Sequence, residues 1–596
     1  MTLLTTIFLG LALGGLRSTW AWTFAALLLW STAMRRPPDL RAVPAARLWG
    51  AWLAWTALSA LLSAEPLRGV PAFARSATAL AVFALAADRL REDDRSLWFH
   101  LLCGAGVVTG LAALLIQVPS YPGVGFLYPY YNYTAALQAA VFAACLGAWG
   151  TGYARSSPWP RRGLLGALMV LALGVILWER SRGGLLAAAV ATLFWLWRRG
   201  QRRLLLGLAL AGFGLLAVAP IRVLAPVLKL DKRAAYVRPL LWKSAAAVAA
   251  DHPIFGEGPG QFDRGFLRHN FPSSSGSWPT RFGMRSGHAH SELLQMAAET
   301  GLPGLGLFLA ALLATWRRTR SRHTSPSDRA LGASAPGTQA EHASQEDRSP
   351  GWTGEAARTA FVALFTHALV DNILALPALG WLYFSTLGVA ASAAAGMVKQ
   401  PRPADSGTRH TLTAYACMAG LALAAVSWWP GWAVRAWRSR AFEATEPAGI
   451  RWMERALRLM PEDPELWADL ARLHLRRRPP DWRGALAALS EAERRDPTQA
   501  LNPLMAAEIL SMERRWDAVR ALSERALALE PACPQARLLR AEALYHLGRK
   551  SEAAREFELF EAFGAQALRQ QDVMEYGRLV LRYDDARRRK VRELFR

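Results

Sequence analysis

Apolar residues in this chain gather in blocks of about 15 to 20 up to roughly residue 430, and that clustering constrains the fold more than any motif does. A block of that length, wound as a helix, crosses a bilayer core of ~30 Å. Lipid offers no hydrogen-bond partner, so a spanning backbone must satisfy its own amides, and runs of this length do that as helices. Thirteen candidate spans follow: 2–16, 19–34, 46–63, 72–87, 97–117, 132–149, 164–178, 184–197, 204–219, 300–316, 357–372, 377–397 and 411–429. The first run has no basic n-region and no small-residue cleavage site, so it reads as a span rather than a signal peptide. The expected fold is all-α: a polytopic membrane bundle of about 12–13 spans over residues 1–430, then a soluble α-solenoid over 431–596.

The net charge of +24 invites a nucleic-acid reading, but the positions of the arginines argue for topology. Basic residues crowd alternate connections, at 35–41, 88–95, 154–162, 198–203 and 316–322, while 64–71, 118–131 and 373–376 are nearly free of arginine. The positive-inside rule puts the basic set in the cytoplasm and the tail outside. No nucleic-acid partner is expected; the lipid bilayer is. Residues 317–356, rich in Ser, Pro, Gly and Ala, read as a disordered cytoplasmic loop. Residues 220–299 fall on the outer side and, with tryptophans, prolines and two histidines, read as a structured loop that carries a site. Cys103, Cys145, Cys417 and Cys533 form no C-x-x-C pair, so neither a disulfide framework nor a zinc site is expected.

In the tail, proline recurs after an apolar-basic helix at R-L-M-P (458–461), R-R-D-P (494–497) and A-L-E-P (528–531). Steps of 36 and 34 residues with small residues at the packing points resemble the tetratricopeptide repeat. Each hairpin buries its apolar face only against its neighbours, so a short superhelix of hairpins follows. Its function is either to bind a protein partner or to act as a spacer.

The chemistry-bearing residues cluster before one span. His288 and His290 stand two apart, with no third ligand at metal spacing, so no metal site is expected. A histidine at a helix entry is either a cap or, with an ordinary pKa near ~6.5, a general base for a hydroxyl. Arg180 and Arg182 sit in an outward connection that runs against the basic-inside bias. They either snorkel to lipid headgroups or hold an anionic ligand; arginine's planar fork suits phosphate oxygens and stays charged near lipid. The tyrosine-rich segment 121–133, with Asn132, is an aromatic belt or a platform for sugar rings. Gly256, Gly258 and Gly260 lack the strand-to-helix context of a dinucleotide site and read as a turn. His367 and Asp371, four apart, either serve the site or bond to each other. Glu299 reads as a cap of the span that follows.

His290-Ser291, nine residues, Gly301, two residues and Gly304 match the H-[N/S/Q]-x9-G-x-x-[G/T/Y] pattern of the O-antigen ligase family, which also holds O-antigen polymerases and bacterial O-oligosaccharyltransferases. E-R-S-R-G-G-L-L-A (179–187), R-P-L-L-W-K-S-A (238–245) and H-P-I-F-G-E-G-P-G-Q-F (252–262) are similar to that family in the same order, and the resemblance covers roughly residues 1–400. Serine at 291, where asparagine is common, departs from the usual pattern within what it allows.

The resemblance implies a glycan donor on undecaprenyl pyrophosphate, a hydroxyl acceptor (lipid A core, glycan or protein) and no cofactor. His290 would be the general base, with Arg182, Arg238, Arg180, His288 and Asn132 binding substrate. The reaction expected is a metal-independent glycan transfer at the periplasmic face of a bacterial inner membrane, the repeat tail being periplasmic too. The rival class is a non-enzymatic transporter or scaffold with a protein-binding arm.

Overall fold

The computed structural model describes residues 2–12, 15–115, 131–155, 158–207, 210, 237–272, 280–282, 285–319, 351–395, 407–567 and 575–595. The expected span 204–219 beyond residue 210, the tyrosine-rich segment before Tyr131 and most of the 317–356 loop lie outside them. Every regular element among the described residues is helical. The chain divides into two compact units: 1–58, 70–238 and 289–428 form the first, and 59–69, 239–288 and 429–596 the second.

In the first unit a helix stands at each of the other twelve expected spans. The Tyr131–Trp149 helix lies among three others, Pro158–Trp178, Arg182–Arg198 and Trp352–Val370. Small residues make this possible: Ala135, Ala136, Ala139, Ala140, Ala143 and Ala144 are all fully buried. A Cβ on Gly147 would lie 2.6 Å from the Glu355 carbonyl, so the two backbones meet where only glycine fits. Helices in lipid gain no hydrophobic drive from each other, and close backbone approach of this kind is how they associate. A second knot is aromatic. Trp49 is buried edge-on to Trp52, Phe308 and Phe384, with its indole N–H donated to Thr315 Oγ1 at 3.0 Å.

Among the described residues five stretches are long and apolar enough to cross a membrane by length and composition: Pro66–Arg89, Glu92–Leu115, Pro160–Trp178, Glu292–Arg318 and Thr413–Glu443. Large apolar side chains such as Phe24, Val170 and Trp197 point outward from the bundle, which a soluble protein avoids at this density and a bilayer covers.

The second unit holds the repeats. Helices Ala448–Leu459, Pro464–Arg476, Trp482–Arg495, Leu501–Met512, Trp516–Leu529, Pro534–His546 and Lys550–Ala567 follow one another as antiparallel hairpins. Pro461, Pro497 and Pro531 each fall in the turn that ends one hairpin and starts the next, as their spacing predicts. Asp463 caps Pro464–Arg476 by accepting from the amides of Glu465 and Leu466, and Asp481 caps Trp482–Arg495 through the Gly484 amide. Apolar faces close between neighbours, with Met453, Leu466, Leu470, Ala485 and Leu489 in one cluster and Leu504, Val519, Ala526 and Leu539 in the next.

Residues 59–69 and 239–288 belong to this same unit. Gly256, Gly258 and Gly260 all have positive φ, and a Cβ on Gly258 would lie 2.5 Å from that of Ser63. The turn they make is fastened to the 59–65 segment: Ser59 donates to the Phe255 carbonyl, and Gln261 donates to Ser63 Oγ at 2.9 Å and to the Glu65 carbonyl at 3.1 Å.

Candidate functional site

The site of the first unit is built where two helices end. Trp352–Val370 stops one residue before Asp371, whose backbone is extended (φ −155°, ψ 169°). Glu292–Arg318 begins just after His290, and a Ser291 in extended conformation makes the junction. His290 itself has φ +51°, a left-handed conformation that costs a side chain with a Cβ roughly 1–2 kcal/mol. Polar contacts from its neighbours hold that strain in place. Gln295 Oε1 accepts the Ala289 amide at 2.7 Å, and Glu292 accepts the Leu374 amide at 2.6 Å. Gln295 also takes the Asn372 side chain at 3.4 Å, so segments 289–295 and 371–374 are stitched together three times over.

The third stitch is the chemical one. His290 Nδ1 lies 2.8 Å from Asp371 Oδ1, and Arg238 Nη2 lies 2.8 Å from Asp371 Oδ2. Arg238 Nη1 donates to the Val370 carbonyl at 2.8 Å, and the Asn372 amide donates to Asp371 Oδ1 at 2.9 Å. A carboxylate accepts and cannot donate, so Nδ1 carries a proton and basicity falls to Nε2. Asp371 is 4% exposed and His290 39%, so the orienting group is enclosed while the ring reaches the surface of the unit. An enclosed carboxylate is tolerable only with partners on both oxygens, and here both have them. The arrangement is an imidazole fixed by a carboxylate, itself fixed by a guanidinium.

The motif E-R-S-R-G-G borders this group. Ser181 caps Arg182–Arg198 by accepting the Gly184 amide at 3.2 Å and donates its hydroxyl to Asn132 Oδ1 at 2.9 Å. A Cβ on Gly183 would lie 2.9 Å from Nε2 of His367, four residues before Asp371. The start of this helix, with Arg182 as its first residue, therefore lies against the same helix end that carries Asp371. Among the described residues neither the Arg180 nor the Arg182 side chain has an ion-pair or hydrogen-bond partner. A helix N-terminus with unopposed guanidinium groups is suited to an anion.

The glycines of the histidine motif have separate duties. Gly301 (φ +71°, ψ 177°) breaks the helix from within, and Pro303 follows it. The Thr300 carbonyl at this kink accepts from Trp55 Nε1 at 2.9 Å. A Cβ on Gly304 would lie 3.0 Å from the Trp55 ring, so small size is required there.

Each residue expected from sequence has a definite place. His290 and Arg238 meet at Asp371; Arg182, Arg180 and Asn132 lie around the Ser181 cap. Arg238 is already engaged by Asp371 and the Val370 carbonyl, so its role is to hold the carboxylate. His288 is exposed, and its backbone bonds to the Ser286 hydroxyl. His367 is buried, with no hydrogen bond to either ring nitrogen among the described residues, and so does not pair with Asp371. Glu299 accepts from Gln295 at 2.6 Å within the helix that it was expected to cap. Glu292, Gln295 and Asn372 were missed. The spacing of Glu292, Gln295 and Glu299 by three and four residues, one polar stripe on an otherwise apolar helix, was the available signal.

Residues 167–309 match the family described as O-antigen ligase, a stretch that contains Arg180, Arg182, Arg238 and His290. This segment is similar to the O-antigen ligase domain. The ligase domain thus contributes the histidine and both sets of arginines, while Asp371, which organises two of them, lies beyond its matched end. No curated protein matches the chain. Among solved structures, yeast Tom70 aligns over 87% of this chain and 83% of its own at 11% identity and a TM-score of 0.21, too low to carry argument. The ligase domain assigns the chain a glycan-transfer type of chemistry and a membrane setting.

Proposed function

We propose that the protein transfers a glycan from an undecaprenyl-pyrophosphate donor to an acceptor hydroxyl at the periplasmic face of the bacterial inner membrane. The observation that carries this reading is the His290–Asp371–Arg238 chain beside the Arg182 helix start. In the reaction the acceptor oxygen attacks the anomeric carbon, and His290 Nε2 takes its proton. The bond from that carbon to the phosphate oxygen breaks, and the pyrophosphate leaves on its polyprenol. Asp371 keeps the imidazole in the tautomer that can accept and stabilises the imidazolium once formed. Arg238 holds Asp371. Arg182 and Arg180, at a helix N-terminus, neutralise the growing charge on the diphosphate, which fixed cations can do without a divalent metal. His288 and Asn132 are further candidates to contact substrate.

The acceptor is a lipid A core, a growing glycan or a protein hydroxyl; ligation, polymerisation and protein glycosylation share this chemistry. The basic connections facing the cytoplasm support a periplasmic site and tail. The test is reconstitution in proteoliposomes with a defined lipid-linked donor and each acceptor in turn, with and without chelator. Wild-type transfer that His290→Ala abolishes supports the reading. Equal transfer by the two proteins sinks it and favours a transporter or scaffold.

A further inference from the structure

The proline turns of the repeats share a second property beyond ending helices. Each presents a carboxylate to the chain's own 261–288 region, inside the second unit. At the first turn, Asp463 Oδ2 lies 2.8 Å from Arg264 Nη2, and the Glu462 amide donates at 2.9 Å to Glu65, which also lies 3.6 Å from Arg264 Nε. At the second, Asp496 Oδ2 lies 2.8 Å from Arg285 Nη2, while Thr498 Oγ1 takes Asn270 at 3.3 Å and Arg285 at 3.4 Å. At the third, the Glu530 carboxylate accepts the successive backbone amides of Arg281 and Phe282, the latter at 2.7 Å, and the Ala528 carbonyl accepts Arg281 Nη1 at 2.9 Å.

Asp496 and Glu530 occupy the same repeat position, immediately before the proline. Both are enclosed: Asp496 is 3% exposed and Glu530 fully buried. Enclosed carboxylates are retained where their partners are fixed. Burial alone would raise the Asp463 carboxyl, but the Arg264 guanidinium and the Glu465 amide hold it below its ordinary value. Burial does raise the Glu65 carboxyl, against the pull of Arg264 and Arg68. Three turns at one-repeat intervals thus hold Arg264, Arg281–Phe282 and Arg285, using side-chain and main-chain groups alike.

We infer that the repeat turns act as an intramolecular clamp on Arg264, Asn270, Arg281, Phe282 and Arg285, with Asp463, Asp496 and Glu530 as positioning residues that fix the approach of the chain to His290, five residues beyond Arg285. The catalytic consequence rests on His290 acting as the base; the clamp itself does not. The tail then serves the transfer step directly, through the enzyme's own loop, rather than by gathering an acceptor.

The experiment uses the full-length protein in lipid nanodiscs, with Glu530→Gln, Asp496→Arg and the charge-swapped Arg285→Asp/Asp496→Arg pair. Hydrogen exchange of amides 264–288 is read without substrate, and transfer is read separately with a lipid-linked donor. Glu530→Gln is expected to speed exchange at Arg281 and Phe282 about tenfold and to lower kcat about tenfold with the donor KM unchanged. Asp496→Arg should do the same around Arg285, and the swapped pair should recover most of both. Unchanged exchange in Glu530→Gln and Asp496→Arg overturns the clamp. Faster exchange with wild-type kcat overturns its link to His290. Because exchange needs no donor, a failure of the glycan-transfer reading would show in the wild-type transfer arm alone.

Discussion

Arginine ties carboxylates in both units, but at the helix start of the first unit it stands without one. In the second, Arg264, Arg268 and Arg285 each face a carboxylate, at Asp463, Glu257 and Asp496, and their charge is spent on architecture. In the first, Arg238 is spent likewise on Asp371, but Arg180 and Arg182, at the start of the Arg182–Arg198 helix, have no acidic partner among the described residues. On the function proposed above, these two guanidinium groups meet the diphosphate that arrives with the donor. The contrast teaches that the net charge of this chain is the sum of three jobs: topology, internal ties and a receptive rim.

The comparison can be broken at its strongest point first. Arg182→Ala is expected to cut transfer about 100-fold, through loss of charge stabilisation on the leaving group, with Arg182→Lys recovering part of it. Initial rates against donor concentration check this. If Arg182→Ala transfers at the wild-type rate, the unopposed guanidinium merely faces headgroups, and the contrast loses its meaning.

Asp371→Asn comes next, with an expected loss of about 10- to 100-fold, because an amide no longer fixes the Nδ1–H tautomer. The loss should fall on kcat with the donor KM unchanged, which a purely structural defect would not produce.

A smaller effect is expected at the helix break. Gly301→Ala places a side chain at φ +71° and should lower stability by about 1–2 kcal/mol, visible as a lower melting temperature in detergent. The smallest concerns the paired arginines and acid. Asp463 has a lowered carboxyl pKa, so its contribution is present above the unfolded value of roughly 4 and fades as pH falls through the folded value. The groups facing it are Arg264, Arg68, Arg438 and Glu65, and the three arginines stay charged throughout. Asp463 should therefore add a rise in hydrogen exchange around residue 264 as pH falls through its lowered folded value, and Asp463→Asn should remove that acid-side part.

Much of the fold was open to reading from local pattern, because span length and the proline period are properties of neighbouring residues. The site was half open. His290, Arg238 and Asp371 were each visible as residues, but the bond joining His290 to Asp371 crosses 81 positions and depends on which helix ends come together. The four-residue spacing of His367 and Asp371 suggested that they pair along a helix. The helix stops at Val370, however, and the extended backbone of Asp371 turns its carboxylate to Arg238 and His290 instead. The sequence reading drew a boundary at residue 430. That segments 59–69 and 239–288 share a compact unit with the repeats has no periodic signature, since it is written in single ion pairs such as Arg264–Asp463.

One practical consequence concerns how the tail can be exchanged. Because its hold on the rest of the second unit recurs once per hairpin, deleting or inserting one hairpin would put every later acidic residue out of register with its basic or amide counterpart. A chimera that borrows another solenoid would need residues 59–69 and 239–288 transplanted with it, as a matched set.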